Sequence, residues 1–319
     1  MIAVLCGGVG AARFLGALAH VVDPSDTVGI VNTADDTVLH GLAICPDLDT
    51  VTYTLANAID PDRGWGLSDE SWRAMEALQR YADVRPQRSV AAPTWFNLGD
   101  RDLATHFYRT ARLGEGATLS DVTAEICAAW HVKQRLIPMS DQTVSTVVTL
   151  ADGGDVSFQE YFVKLHHAVP VTAVRFVGAS EASLAPGVEG VLKSADCIVI
   201  APSNPIVSIG PIRALAEVDP ILAARRASVV AISPIIGGAA LKGPADRMLN
   251  ELGHESSVVG VARLYSPVAA TLVIDPVDAH LAPAVEDAGM RAVITPSVMS
   301  SPEIGAELAR VSLLAASVQ

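Results

Sequence analysis

The chain has 319 residues, half of them apolar but only 5% aromatic, and a net charge of −13 from 22 basic and 35 acidic side chains. So acidic a protein has little to set against phosphate repulsion, which argues against nonspecific nucleic-acid binding, and no apolar run is long enough to span a bilayer. Ala, Val, Leu and Ile dominate, a palette for parallel strands covered by helices on both faces.

The first stretch sets the pattern. Residues 2–6 are an apolar run, glycines follow at 7, 8 and 10, and Phe14, Leu15, Leu18 and Val22 then fall on one helical face. This reads as strand, glycine turn and helix. Glycine lets the turn tighten and lets a ligand approach the backbone. The unpaired N–H groups of a helix start suit a phosphate. Gly7, Gly8 and Gly10, with Arg13 one turn on, are therefore candidate nucleotide contacts. The spacing is a poor dinucleotide fingerprint, because Arg13 stands at the third position counted from Gly8, and no Walker lysine follows. A turn tightened only for packing is the alternative.

Residues 23–26 read as a turn and 27–31 as a second buried strand. It ends in 32–36 (NTADD), at the carboxyl end where open α/β sheets bind ligands. Residues 45–50 (CPDLDT) read as a loop from which Asp49 or Thr50 caps a helix running through Leu55. The two loops offer Asp35, Asp36, Asp47 and Asp49. Oxygen ligands beside a phosphate site suit Mg2+, and no His/Cys set competes for a softer metal. Each Asp taken alone is more often a turn or cap residue.

Residues 60–66 (DPDRGWG) form a loop and 68–81 a helix. Residues 82–94 are irregular around Pro86 and Pro93 and are expected to be mobile. Trp95 opens a short strand, followed by a polar loop with Asp100, Arg101 and Asp102. That trio serves either as a surface ion pair plus cap or as a group reaching into the cleft. Helices are predicted over 102–112 and 119–130. A loop from Arg135 leads into a β-branched strand ending at Leu150, and 152–155 (DGGD) turns a hairpin into a strand at 156–158.

The fold class is therefore α/β: a Rossmann-like, mostly parallel sheet with helices on both faces. Residues 1–59 and 166–319 form the core, and 60–165 form a largely helical insertion. The later core reads as strands at 171–177, 197–200 and from 228, and helices at 188–194, from 212, and at 245–252. Further strands are expected at 258–261, 271–274 and 292–294, and a last helix at 302–316. The loops 201–212 (APSNPIVSIGPI) and 233–244 (SPIIGGAALKGP) combine hydroxyls, glycines and prolines and suit a nucleotide. Ser203, Asn204 and Gly237 are candidates there, and Lys242 is a point charge for a phosphate. Cysteines at 6, 45, 127 and 197 form no C-x-x-C and read as reduced thiols of a cytoplasmic protein. Met1 leads straight into a strand, so no signal peptide is expected.

Residues 7–15, 31–36, 45–50, 98–102, 201–212 and 233–245 occur in order as motifs resembling the 2-phospho-L-lactate transferase family of deazaflavin coenzyme F-420 biosynthesis. The loops 60–66 and 98–106 look most like its actinobacterial members. The resemblance implies a Rossmann-like homodimer that needs magnesium. The donor is a guanosine diphosphate conjugate of lactate or enolpyruvate, and the acceptor is the deazaflavin Fo, whose ribitol hydroxyl attacks phosphorus as GMP leaves. It further implies that Asp49 and Arg101, with Asp100 beside them, hold Fo, and that Asp49 takes the hydroxyl proton. Asp35 and Asp47, with Asp36 in reserve, would hold the metal. A nicotinamide-dependent oxidoreductase, with Asn32 or Asp35 on the ribose, and a non-catalytic nucleotide-sugar-binding regulator remain open.

Overall fold

The computed structural model describes residues 1–317. β1 (Ile2–Cys6) passes through Gly7 into α1 (Gly8–Leu18), and β2 (Thr27–Val31) follows. The hairpin β3 (Thr37–Leu39) and β4 (Leu42–Ile44) leads into α2 (Pro46–Leu55), and then come α3 (Arg73–Ala82), α4 (Leu103–Gly114) and α5 (Leu119–Ala129). β5 (Arg135–Pro138) precedes β6 (Ser145–Leu150), β7 (Asp155–Ser157) and β8 (Val171–Val177), with a π-helical turn at Glu160–Lys164. The last half holds α6 (Val188–Ser194), β9 (Cys197–Ile200), α7 (Gly210–Arg213), α8 (Val218–Ala224) and β10 (Val229–Ile232). The short hairpin β11 (Ile235–Ile236) and β12 (Ala239–Ala240), then α9 (Ala245–Glu251) and α10 (Val258–Tyr265), come next. β13 (Thr271–Ile274), α11 (Ala282–Asp287), β14 (Arg291–Ile294) and α12 (Pro302–Ser317) close the chain.

Seven strands form one sheet in the order β14-β13-β10-β9-β1-β2-β5, and all its pairings are parallel. The expected α/β class and Rossmann-like sheet are thus present. From β1 the chain adds β2 and β5 on one side, then crosses to add β9, β10, β13 and β14 on the other. The reversal between β1 and β9 parts the loops at the strands' carboxyl ends and leaves a crevice. Alternate strand residues serve opposite faces. Ala3, Leu5, Ile198 and Ile200 pack under the face that includes Val191, Leu222 and Val261. Val4, Cys6, Val199 and Ile232 pack under Phe14, Leu48 and Leu308. All four cysteines are buried and free. Among the described residues no helix is long and apolar enough to cross a membrane.

Several expected elements differ. Residues 258–261 form the first turn of α10 and not a strand. The Ser257 hydroxyl accepts from the N–H groups of Val259 and Gly260, and Val258, Val261, Ala262 and Tyr265 bury one helical face. A β-branched run overstated strand character where a serine cap decides. The helix expected from 68 starts at Arg73, because Asp100, distant in sequence, accepts from the N–H groups of Arg73 and Ala74. Residues 95 and 96 are in no strand. The helix expected after Asp49 or Thr50 begins at Pro46, whose fixed φ and missing N–H suit the first helical position. Residues 135–138, expected as a loop, are the edge strand beside β2. β8, expected in the core sheet, pairs antiparallel with β6 instead. The proposed boundary at 165/166 is thus crossed by one strand pairing, and the main sheet recruits a strand from within 60–165.

The crevice is tight because glycine leaves room. A Cβ on Gly10 would stand 2.3 Å from the Pro202 carbonyl oxygen. One on Gly7 would stand 2.7 Å from Asp47 Oδ2. Replacing glycine by alanine inside a helix normally stabilises by about 1 kcal/mol. Gly10→Ala should instead destabilise, by about 1–3 kcal/mol, because backbone must move to admit the methyl. Urea unfolding checks this, and a more stable variant would contradict the described contact.

Candidate active site

A cavity of about 800 Å³ opens over the crevice between β1 and β9. Gly7, Gly8, Gly10, Ser203 and Asn204 line its floor. The Ser203 hydroxyl donates to the Gly7 carbonyl at 2.8 Å and accepts from Gly7 N–H at 3.4 Å, fastening the loop after β9 to the glycine turn. Asn204 turns its own loop, accepting from Ile206 N–H at 2.9 Å.

Two carboxylates meet beside this turn. Asp35 comes from the loop after β2, and Asp47 from the first turn of α2. The Asn32 side-chain amide donates to both, at 3.0 Å to Asp35 and 2.9 Å to Asp47. The Asn32 carbonyl oxygen accepts from Ala34 N–H at 3.0 Å, which fixes the amide's orientation. Asp35 Oδ1 is buried and makes no hydrogen bond. Burial pushes the Asp35 carboxyl well above its ordinary range, and the neighbouring Asp47 charge adds to the shift. Burial likewise raises Asp47 to about 6, against the pull of Asn32 and the Gly8 N–H. A cation-seeking pair with an unpartnered oxygen and an all-oxygen donor set fits a magnesium ion.

A second polar cluster lines the same cavity, between α2 and α4. Arg109 grips Asp49 with both terminal nitrogens, Nη1 reaching Oδ2 at 3.1 Å and Nη2 reaching Oδ1. Arg109 Nη1 also lies 3.4 Å from His106 Nδ1. His106 Nε2 lies 3.3 Å from Asp102 Oδ2, and the Tyr53 hydroxyl donates to Asp102 Oδ1. Burial works against the Asp102 charge, yet His106 and Tyr53 hold its carboxyl below the ordinary value. Ligand atoms of Asp49, Asp102 and His106 lie within 4.8 Å of one another. Arg109 already neutralises Asp49, and Tyr53 already occupies Asp102, so this set suits a metal less well than Asp35 and Asp47.

Of the residues singled out in the sequence, the cavity brings together Gly7, Gly8, Gly10, Arg13, Asp35, Asp47, Asp49, Asp102, Ser203, Asn204 and Lys242. Arg13 and Lys242 are exposed at its rim, and Lys242 Nζ donates to the Arg63 carbonyl at 3.4 Å. Four others lie outside its lining. Asp36 turns to the Cys45 thiol, and burial raises its carboxyl. Gly237 N–H is tied to Asp278 at 2.9 Å. Asp100 caps α3. Arg101 donates to the Ser68 carbonyl at 2.6 Å and borders a separate groove of about 370 Å³ with Tyr108 and Trp130. The sequence reading did not single out His106, Arg109 or Tyr53. Their signal was periodic: Asp102, at the cap of α4, stands at i with His106 and Arg109 of that helix at i+4 and i+7, and Asp49 and Tyr53 stand at i and i+4 on α2.

The sequence model of the 2-phospho-L-lactate transferase CofD family matches residues 2–294. The chain belongs to this family. A relative from Kitasatospora aureofaciens, named phosphoenolpyruvate transferase, is 44% identical over 98% of this chain and 96% of its own. Another of that name, from Mycobacterium sp. (strain KMS), is 38% identical over 99% of both. Among solved structures, a Bacillus halodurans protein matches with a TM-score of 0.62 at 14% identity over 98% of both chains. A second crystal structure of that protein, described as a UPF0052 family member, gives 0.60 at 13%. At that identity the likeness concerns the fold, and it agrees with the doubly wound sheet. This CofD family member is a transferase.

The raised Asp47 carboxyl has a consequence for stability. The folded state holds its proton more tightly than the unfolded chain, so this group's contribution is present at low pH and is lost as pH rises through about 6. Asp47→Asn removes the buried charge and keeps an acceptor for Asn32. The ligand-free variant should gain about 1–3 kcal/mol at pH 7.5, and the gain should vanish toward about pH 4. Denaturant titrations across that range read it. A variant less stable than the parent at pH 7.5 would refute it.

Proposed function

We propose that this transferase moves a phosphoenolpyruvyl group from a guanosine diphosphate-linked donor to the terminal ribitol hydroxyl of the deazaflavin Fo, acting as a cytoplasmic homodimer in coenzyme F-420 biosynthesis. The observation that carries the reading is the Asp35–Asp47 pair clasped by Asn32 beside the glycine turn, in a chain of the CofD family. The choice of enolpyruvyl over lactyl follows the names of the relatives at 38% and 44% identity.

The cavity divides accordingly. The Gly7–Gly10 backbone and Ser203 face the diphosphate, with Arg13 and Lys242 as cations at the rim. Asn204, Ser233 and Ser297 also line the cavity and surround the nucleoside. Asp35 and Asp47 would hold magnesium, which neutralises phosphate charge during transfer. Asp49 receives the acceptor hydroxyl. The acceptor oxygen forms a bond to the phosphorus bearing the three-carbon acid, the bond from that phosphorus to the GMP oxygen breaks, and the hydroxyl proton passes to the Asp49 carboxylate. Phosphoryl transfer of this kind rests on positioning and charge neutralisation more than on covalent chemistry by the protein. Trp65, Phe96 and Phe158 supply flat apolar walls for the deazaflavin ring. Arg101, outside this lining, reaches Fo only if its side chain leaves Ser68.

Mass spectrometry of the product from Fo with guanylated enolpyruvate or guanylated lactate tests the reading. The enolpyruvyl phosphodiester and GMP are expected, and formation of the lactyl product alone would overturn the donor assignment. Calorimetry with GDP should show binding that strengthens when magnesium is added. Asp35→Asn should lower turnover by roughly a hundredfold or more, while GDP binding without magnesium persists.

A further inference from the structure

We propose that the buried chain Tyr53–Asp102–His106–Arg109–Asp49 is a seat for a polyhydroxylated segment of the acceptor, in which Arg109 and His106 are positioning residues that aim Asp49. The inference rests on the proposed function and adds to it the residues that select the acceptor's chemistry.

Arg109 and His106 are each 1% exposed. A guanidinium fork uses one acceptor position on each Asp49 oxygen, and an ionised carboxylate offers about four. Two remain on Asp49, which lines the cavity. Asp102 is engaged by Tyr53 on one oxygen and faces His106 with the other, and it too lines the cavity. The cluster therefore shows two acceptor-only groups to a ligand. Hydroxyls bring the donors that carboxylates lack.

The aim of Asp49 depends on Arg109, which is itself fixed from three sides: Asp49, the Ala43 carbonyl at 3.3 Å and His106 Nδ1 at 3.4 Å. Both helices that carry the chain are regular elements, a setting that holds reacting groups more closely than loops do. Removing Arg109 outright would strand a buried charge and risk unfolding. Arg109→Lys keeps the charge and loses the fork, so it probes aim separately from charge balance.

The test is a kinetic cycle on the full chain with Arg109→Lys, His106→Asn, Asp49→Asn and the Arg109→Lys/Asp49→Asn double variant, each first checked by thermal melting. Arg109→Lys and His106→Asn should each raise the Fo KM and lower kcat, by roughly tenfold in kcat/KM, with GDP Kd unchanged within about twofold. The double variant should be no slower than Asp49→Asn alone, because the same function is already lost. A deazaflavin retaining only the terminal hydroxyl should bind wild type more weakly than Fo does, and Asp49→Asn should bind both alike. Additive losses in the cycle, or folded variants with normal Fo kinetics, would overturn the positioning role while leaving the transferase reading intact. Equal binding of Fo and the truncated ring by wild type would overturn the polyol seat. A wild-type protein that makes no product from Fo would overturn both the function reading and this inference.

Discussion

A single side-chain amide holds a buried and a half-buried carboxylate together, and the rest of the site is arranged around that unfavourable pairing. Asp35 and Asp47 belong to different elements, yet Asn32 donates to both. Like charges in a desolvated place cost free energy unless a cation joins them or a proton neutralises one. The protein tolerates this where the order of strand addition reverses, because the loops at the strand ends part there and leave room for a ligand. The strain is local. Around it, Gly7 and Gly10 admit neighbouring backbone and side chains so closely that no methyl fits.

The fold itself follows from simple patterning. The core strands are short, apolar and buried on both faces, as a parallel sheet between helices requires. Helices cover both faces, and residues alternating along β1 belong to different cores. The cavity then needs no special scaffold. Its floor is the turn after β1, and its walls are the loops that the crossing between β1 and β9 pushes apart.

The strands and glycine turn were legible because they are continuous in sequence. So were Asp35, Asp47 and Ser203, which sit at strand ends or beside a proline-started helix. What was not legible depends on partners distant in the chain. Asp100 looked like a ligand-facing acid, but it finds the bare N–H groups of α3, and Arg101 turns to the Ser68 carbonyl. Asp49 was recognised, but its grip by Arg109, sixty positions on, was not. The run at 258–261 misled because four β-branched or small residues fit either period, and only the serine before them settles the matter. β5 was missed because four residues ending in proline carry too little pattern to separate strand from loop.

The pairing of β5 with β2 carries one more implication. Everything from Asn32 to Gln134 is a single connection between two neighbouring strands. Asp49, Tyr53, Asp102, His106 and Arg109 all ride on it, whereas Ser203, Asn204, Ser233 and Lys242 come from later crossings. Asp35 and Asp47 ride on it too, so the carboxylates of the cavity share one hereditary unit, and the serine and lysine loops belong to others. Recombination or insertion within one interval can remodel one group while the strands beneath it, and the loops from the other intervals, keep their register.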